Sequence, residues 1–336
     1  MLKVLCNAGA SALMNIYRIA ELAAGFRSCP WTFAKFGAIE CADAGQWSLL
    51  LCKAAGLSGV VIAETQSEYC QMKIVLFCGG LGTRIREYSE SVPKPMVPVG
   101  HQPIMCHVMQ YYSQYGHDDF ILCLGYKANV IKDYFLNYRQ TANSDCVISE
   151  FGKKVEILGD RPPDWRVSLV DTGTWRNIGE RLMAVKHLVK DEEIFLANYS
   201  DGLTDAPLPE MIEKFKASGK IACFIAIHPP ISFHLTEFDE DGSVQRIRSS
   251  QESDIWINGG FFIFRKEIFD FINDGEELVL EPFNRLIAGG HLMAYKYEGF
   301  WRAMDTLRDR QVLEDMVERG DTPWRIQQVL PTVKAA

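Results

Sequence analysis

Residues 72–77, Met-Lys-Ile-Val-Leu-Phe, form an apolar run that opens directly onto Cys78-Gly79-Gly80-Leu81-Gly82. A short continuous apolar run ending in glycines reads as a strand buried on both faces, the kind found in a parallel sheet. The turn after such a strand presents bare backbone N–H groups, and these bind phosphate oxygens. Two cations follow closely. Arg84 carries a planar fork of donors matched to phosphate, and Lys94 stands between Pro93 and Pro95, which stiffen its backbone and lower the entropy cost of aiming its ammonium. The loop is not a Walker A loop, because no Gly-Lys-Ser/Thr closes it. Nor is it a dinucleotide fingerprint, because Gly82 is followed by Thr83-Arg84-Ile85 and no third glycine.

The pattern beyond this strand alternates. Residues 102–116 recur at helical spacing, with Pro103 at the first helical position and Gly116 as the stop. Residues 119–125 read as a strand, 127–139 as a helix, 193–202 as a strand running into an acidic turn, 208–219 as a helix and 220–227 as a strand. This alternation predicts a doubly wound α/β fold with a mainly parallel sheet flanked by helices. The second half then turns β-rich. Residues 232–250 alternate about Asp241-Gly242 as a hairpin. Residues 256–264 read as a strand interrupted by Gly259 and Gly260, where a ligand comes close to the backbone. A strand from 293 and a helix over 306–320 follow.

The stretch Gly79–Gly100, GGLGTRIREYSESVPKPMVPVG, resembles the opening motif of the sugar-phosphate nucleotidyltransferases, GGxGTRL…PKPM. The segments VSLVDTG (167–173), LANYSDG (196–202), WINGGFFIF (256–264) and GFWRAMDTLRD (299–309) are similar to the glucose-1-phosphate cytidylyltransferase branch. The likeness runs from Met72 to Arg325. It implies a Rossmann-like nucleotide half with a β-rich insertion that binds the sugar. The implied reaction joins an NTP, with CTP favoured, to a sugar 1-phosphate, with glucose 1-phosphate favoured, and releases pyrophosphate. The same chemistry on another phosphorylated acceptor and a non-catalytic regulatory subunit that binds nucleotide sugars are the alternatives.

That chemistry needs little acid–base help, because a phosphomonoester is already ionised near neutral pH. Positioning and charge dispersal dominate. The backbone of Gly79, Gly80, Leu81, Gly82 and Thr83 would hold the nucleotide, Arg84 the departing phosphates, and Lys94 the α-phosphate. The resemblance implies Asp201 and Asp305 as ligands of Mg²⁺, a hard ion that prefers oxygen. It also implies Gly125, Tyr126 and Lys127 near the base, Arg181 on phosphate, and Asn258, Gly259, Gly260 and Glu281 around the sugar phosphate. One departure stands out. The family carries a lysine ahead of its NGG strand, whereas no lysine occurs here between Lys220 and Lys266. Arg248, two residues from Arg246 on the same strand face, is the nearest substitute cation.

A formal net charge of −8 argues against a nucleic-acid partner. None of the ten cysteines forms a C-x-x-C pair or a metal-ligand spacing, as suits reduced thiols and a cytoplasmic setting. Residues 48–63 are apolar but short for a membrane span and broken by Lys53. The sequence divides into an extension over 1–71, a nucleotidyltransferase domain over 72–325 and a tail over 326–336. The extension reads as an appended segment ahead of a start at Met72, or as a small helical addition that packs on the domain. A homo-oligomer is the expected assembly.

Overall fold

The computed structural model describes residues 71–80, 82, 92–138, 146–157, 164–229, 234–249 and 254–325. Strand β1, Lys73–Phe77, is buried from Ile74 onward. The chain next makes a 3₁₀ turn at Lys94–Met96 and a two-residue ribbon, β2 (Pro98–Val99) with β3 (Gln102–Pro103). Helix α1, Ile104–Ser113, follows. Pro103 is its N-cap and not its first helical residue, because Gln102 and Pro103 are held in that ribbon. Strand β4, Asp119–Leu124, leads to helix α2, Ala128–Leu136. A hairpin of β5 (Cys146–Ser149) and β6 (Lys154–Ile157) precedes β7, Arg166–Asp171. Helices α3 (Ile178–Ala184) and α4 (Lys186–Val189) lead to β8, Ile194–Asn198, and β9, Gly202–Thr204. Helix α5, Leu208–Ser218, and β10, Ala222–Ile227, come next. The hairpin of β11 (His234–Phe238) and β12 (Val244–Ser249) turns at Gly242, whose φ of 84° is left-handed. The described chain ends with β13 (Ile257–Arg265), α6 (Glu281–Ala288), β14 (Leu292–Tyr297), β15 (Trp301–Ala303) and α7 (Leu307–Glu318).

Seven strands build the central sheet in the order β14-β10-β13-β8-β1-β4-β7. Strand β1 lies between β4 and β8, parallel to both, β4 is parallel to β7, and β10 is parallel to β14. Strand β13 runs antiparallel to both β10 and β8. The fold is Rossmann-like, a largely parallel sheet flanked by helices, with small β ribbons added around it. Alternate residues of β1 feed two cores. Ile74 and Leu76 pack with Ile104, Met105 and Val108 of α1, Phe215 of α5 and Leu313 of α7. Val75 and Phe77 pack on the other face with Leu182 of α3, Ile268, and Phe283 and Leu286 of α6. Both faces of the sheet are covered, which is why its strands read as continuous apolar runs. Each fully buried side chain of this size contributes about 1.5–3 kcal/mol.

The two glycines that interrupt β13 answer to the protein's own packing. A Cβ on Gly260, whose φ is 79°, would lie 2.4 Å from the Tyr199 ring, and one on Gly259 would lie 2.7 Å from Ile225. Trp301 Nε1 donates to Gly259 O at 2.8 Å. The register with β10 shifts at this point, so the strand bulges as it enters the sheet.

Candidate active site

In an open α/β sheet, ligands bind beyond the C-terminal ends of the parallel strands. Four such ends lie side by side here: Cys78–Gly80 after β1, Gly125–Lys127 after β4, Thr172–Thr174 after β7, and Tyr199–Asp201 after β8. Gly80 is exposed with open space around its Cα. Gly82 adopts a left-handed φ of 61°. Leu81, Thr83 and Arg84 lie outside the described residues. Lys127 takes a left-handed φ of 51° as the N-cap of α2, and its ammonium sits 5.4 Å from the Tyr126 ring centroid.

The turn that carries Asp201 is held from several sides. Ser200 has a φ of 66°, a conformation a residue with a Cβ adopts at some cost. Its N–H donates to Asn198 Oδ1 at 2.9 Å and its hydroxyl donates to Phe77 O at 2.9 Å, which ties the end of β8 to the end of β1. Asn198 in turn donates to Tyr112 Oη at 3.1 Å. The sequence marks Tyr112 only as part of a helix's apolar face and does not mark Asn198 or Ser200. The polar pair Asn198 and Ser200 in an otherwise apolar strand end was the available signal.

Asp201 and Asp305 are brought together by the ribbon of β9 and β15, in which Gly202 pairs with Ala303. Met304 N–H donates to Asp201 O at 2.9 Å. Both carboxylates close on Lys94. Its Nζ lies 2.5 Å from Asp201 Oδ2 and 2.6 Å from Asp305 Oδ1. The two oxygens are therefore no more than about 5.1 Å apart, the sum of those two contacts. Asp305 does not cap the helix that follows. Thr306 does, in a capping box with Asp309, and Asp305 is left to face the lysine. Burial works against the Lys94 ammonium, but the charges and hydrogen bonds of Asp201 and Asp305 outweigh it and raise its pKa. Burial pushes the Asp201 carboxyl above the ordinary range, with Lys94 pulling it down and Asp305 pushing it up.

Two carboxylates already converged on one cation are a donor set suited to Mg²⁺, which takes one or two protein carboxylates and completes its shell with water and phosphate. The residues fit that ion. Among the described residues, no group of three or more His, Cys, Asp and Glu gathers to hold a metal.

The family resemblance implies a phosphate contact for Arg181. In the structure it is 2% exposed, and its guanidinium donates to the protein's own backbone and to Thr172. Asn258 Oδ1 accepts from Gly260 N–H at 2.9 Å, and its amide donates to Tyr199 Oη at 3.4 Å. Glu281 is the exposed first residue of α6. It neighbours Glu277, whose carboxyl is pushed up mainly by burial and further by Glu281 and Glu180. Arg248 lies on β12, where its guanidinium pairs with Glu237 of β11 at 2.7 Å and its Nε is buried without a hydrogen-bond partner. No helix among the described residues is long and apolar enough to cross a membrane.

Comparison with known proteins gives the class to which this fold and site belong. The family model described as nucleotidyl transferase matches residues 73–306. A glucose-1-phosphate cytidylyltransferase of Salmonella typhi is 42% identical over 256 residues, covering 76% of this chain and 99% of the relative. A mannose-1-phosphate guanyltransferase of Gibberella zeae is 24% identical, covering 71% of this chain and 62% of the relative. Among solved structures, HddC from Yersinia pseudotuberculosis superimposes with a TM-score of 0.52 at 20% identity, covering 74% of this chain and 100% of that one, a likeness of fold. The chain belongs to the sugar-phosphate nucleotidyltransferase family.

Proposed function

We propose that this protein transfers a nucleotidyl group from an NTP to a sugar 1-phosphate, with CTP and glucose 1-phosphate as the substrate pair. An oxygen of the sugar phosphate attacks the α-phosphorus, the bond to the bridging oxygen of the β-phosphate breaks, and pyrophosphate leaves with that electron pair. The observation that carries this reading is the 42% identity to a glucose-1-phosphate cytidylyltransferase across 99% of that relative's length.

The task for the protein is to bring two anions together and disperse charge as one departs. Lys94 supplies a partly buried cation aimed by Pro93 and Pro95 at the reacting α-phosphate. Asp201 and Asp305 would hold Mg²⁺, which when bound neutralises phosphate charge. Backbone N–H groups from Gly79 to Gly82, with Thr83, hold the nucleotide phosphates, and Arg84 draws off the leaving pyrophosphate. Gly125, Tyr126 and Lys127 flank the base. Asn258, Gly259, Gly260, Glu281 and Arg248 bind the sugar phosphate, Arg248 standing in for the lysine that is missing between Lys220 and Lys266. That missing lysine also favours a second reading, in which the chemistry is unchanged but the acceptor is a different phosphorylated sugar or polyol.

The test is a matrix of the four NTPs against a panel of sugar phosphates, read by pyrophosphate release. Strong turnover with CTP and glucose 1-phosphate supports the proposal. Turnover with CTP and another acceptor supports the second reading. No turnover with any pair removes both.

A further inference from the structure

Arg181 reaches the ends of three neighbouring parallel strands with one guanidinium. Nη1 donates to Leu124 O at 3.1 Å, at the end of β4, and to Thr172 Oγ1 at 2.8 Å, just past β7. Nη2 donates to Gly79 O at 3.0 Å, just past β1, and to Thr174 O at 3.2 Å. Thr172 closes the ring by donating its own hydroxyl to Leu124 O at 2.7 Å. The contact is tight. A Cβ on Gly79 would lie 2.0 Å from Nη1 of Arg181, and one on Gly125 would lie 2.8 Å from it. Both loops therefore rest on the guanidinium and have no room for a side chain. Helix α3, which carries Arg181, is itself fixed by a capping box between Asn177 and Glu180.

This arrangement fixes the direction of a donor. In a trans peptide the C=O of one residue and the N–H of the next point in opposite directions. Arg181 draws the Gly79 carbonyl inward, so the Gly80 N–H of the same peptide faces outward, where Gly80 is exposed. The Tyr126 N–H, at 3.3 Å, holds the same carbonyl from the β4 side. The guanidinium stays charged despite burial, which lowers its pKa. It thus places a fixed positive charge behind the peptide whose N–H faces the ligand side.

We propose that Arg181 is a positioning residue for the nucleotide phosphates: it orients the Gly80 N–H without touching the ligand. This rests on the reading of residues 79–82 as the loop that holds the NTP. The test is calorimetric binding of CTP and of cytidine, with melting temperature measured in parallel, in wild type, Arg181→Lys, Arg181→Met and Thr172→Val. The expected result is at least a tenfold loss of CTP affinity in both Arg181 variants, with cytidine affinity within about twofold of wild type. Thr172→Val, which removes one Arg181 acceptor and the Thr172–Leu124 hydrogen bond but leaves the Arg181 contacts to Gly79 O and Thr174 O, should move CTP affinity in the same direction by a smaller factor and covers the case in which the Arg181 variants fail to fold. Equal losses for CTP and cytidine, or unchanged CTP affinity in a folded variant, would overturn the proposal. Wild type that binds no CTP would instead remove the reading of the loop on which it rests.

Discussion

Replacing Lys94 by methionine keeps most of the side-chain volume and removes the cation between Asp201 and Asp305. The wild-type contacts of 2.5 and 2.6 Å bring the carboxylate oxygens within about 5.1 Å of each other. At an effective dielectric of about 20, two like charges at that separation repel by about 3 kcal/mol. Taking one partner from a buried ion pair costs about 3–5 kcal/mol by direct measurement in other proteins, a similar magnitude. The variant can relieve the repulsion by holding a proton on one carboxylate, and burial already pushes Asp201 in that direction. A carboxyl whose folded pKa is raised contributes stability at low pH and loses it as pH rises through that pKa. Lys94→Met should therefore fall further below wild type as pH rises from the carboxylate range toward pH 8. For a domain of this size, about 3 kcal/mol corresponds to a drop of roughly 6–12 °C. A divalent cation should restore the loss by replacing the missing charge, so millimolar Mg²⁺ should raise the variant's melting temperature at pH 8 far more than that of wild type. Melting curves from pH 5 to pH 8, with and without Mg²⁺, provide the measurement. A variant that melts like wild type at pH 8, or that ignores Mg²⁺, would refute the view that Lys94 neutralises a pair of metal-binding carboxylates.

Other consequences can be checked separately. Asp201→Asn and Asp305→Asn should each lower turnover on the order of 10³-fold, and excess chelator should abolish it in wild type; full activity in chelator would contradict the assignment of these residues. Burial depresses His107 and His117 to about 4, so each stays neutral while folded and takes up a proton on unfolding. Their contribution is present above pH 6.5 and lost as pH falls through about 4, up to about 3 kcal/mol each. His107→Gln should flatten that acid loss in urea unfolding at pH 4.5 and pH 7, and an unchanged slope would count against it. Arg248→Ala should raise KM for the sugar phosphate several-fold more than KM for the NTP in steady-state kinetics, and equal effects would exclude Arg248 from the acceptor site.

The parts of this protein legible in its sequence are those where local chemistry and tertiary packing agree. Strand β1 and its glycine turn announce themselves because both sheet faces are covered and because Gly79 must fit against Arg181. Helices α1, α5 and α7 show clear apolar periodicity and differ from expectation only at their ends. Strand β7 did not stand out as an element, because its residues are only partly buried at the sheet edge. The β5–β6 hairpin carries exposed Val147, Ile148 and Val155, so it lacks the polar-out alternation that marks a hairpin. Helix α3 is seven residues long with Gly179 in its first turn, too short to show a period, although Asn177-x-x-Glu180 is a readable cap. At the site, residue spacing alone does not join Lys94, Asp201 and Asp305, and the pairing of the two carboxylates is implied only by the family resemblance. Their meeting depends on the β9–β15 ribbon, a pairing across about a hundred residues that no local pattern encodes. The inward direction of Arg181 was hidden for the same reason, since an arginine read from a motif does not show which way it points.

In the proposed reaction an oxygen of the sugar 1-phosphate attacks the α-phosphorus of CTP. Glucose 1-phosphate labelled with ¹⁸O on its non-bridging phosphate oxygens, incubated with CTP, Mg²⁺ and the enzyme, tests this directly by ³¹P NMR and mass spectrometry of the products. CDP-glucose should retain every labelled oxygen around the phosphorus attached to the sugar, and pyrophosphate should carry none. Label in the pyrophosphate, or no CDP-glucose from a folded enzyme that binds both substrates, would contradict the proposed reaction.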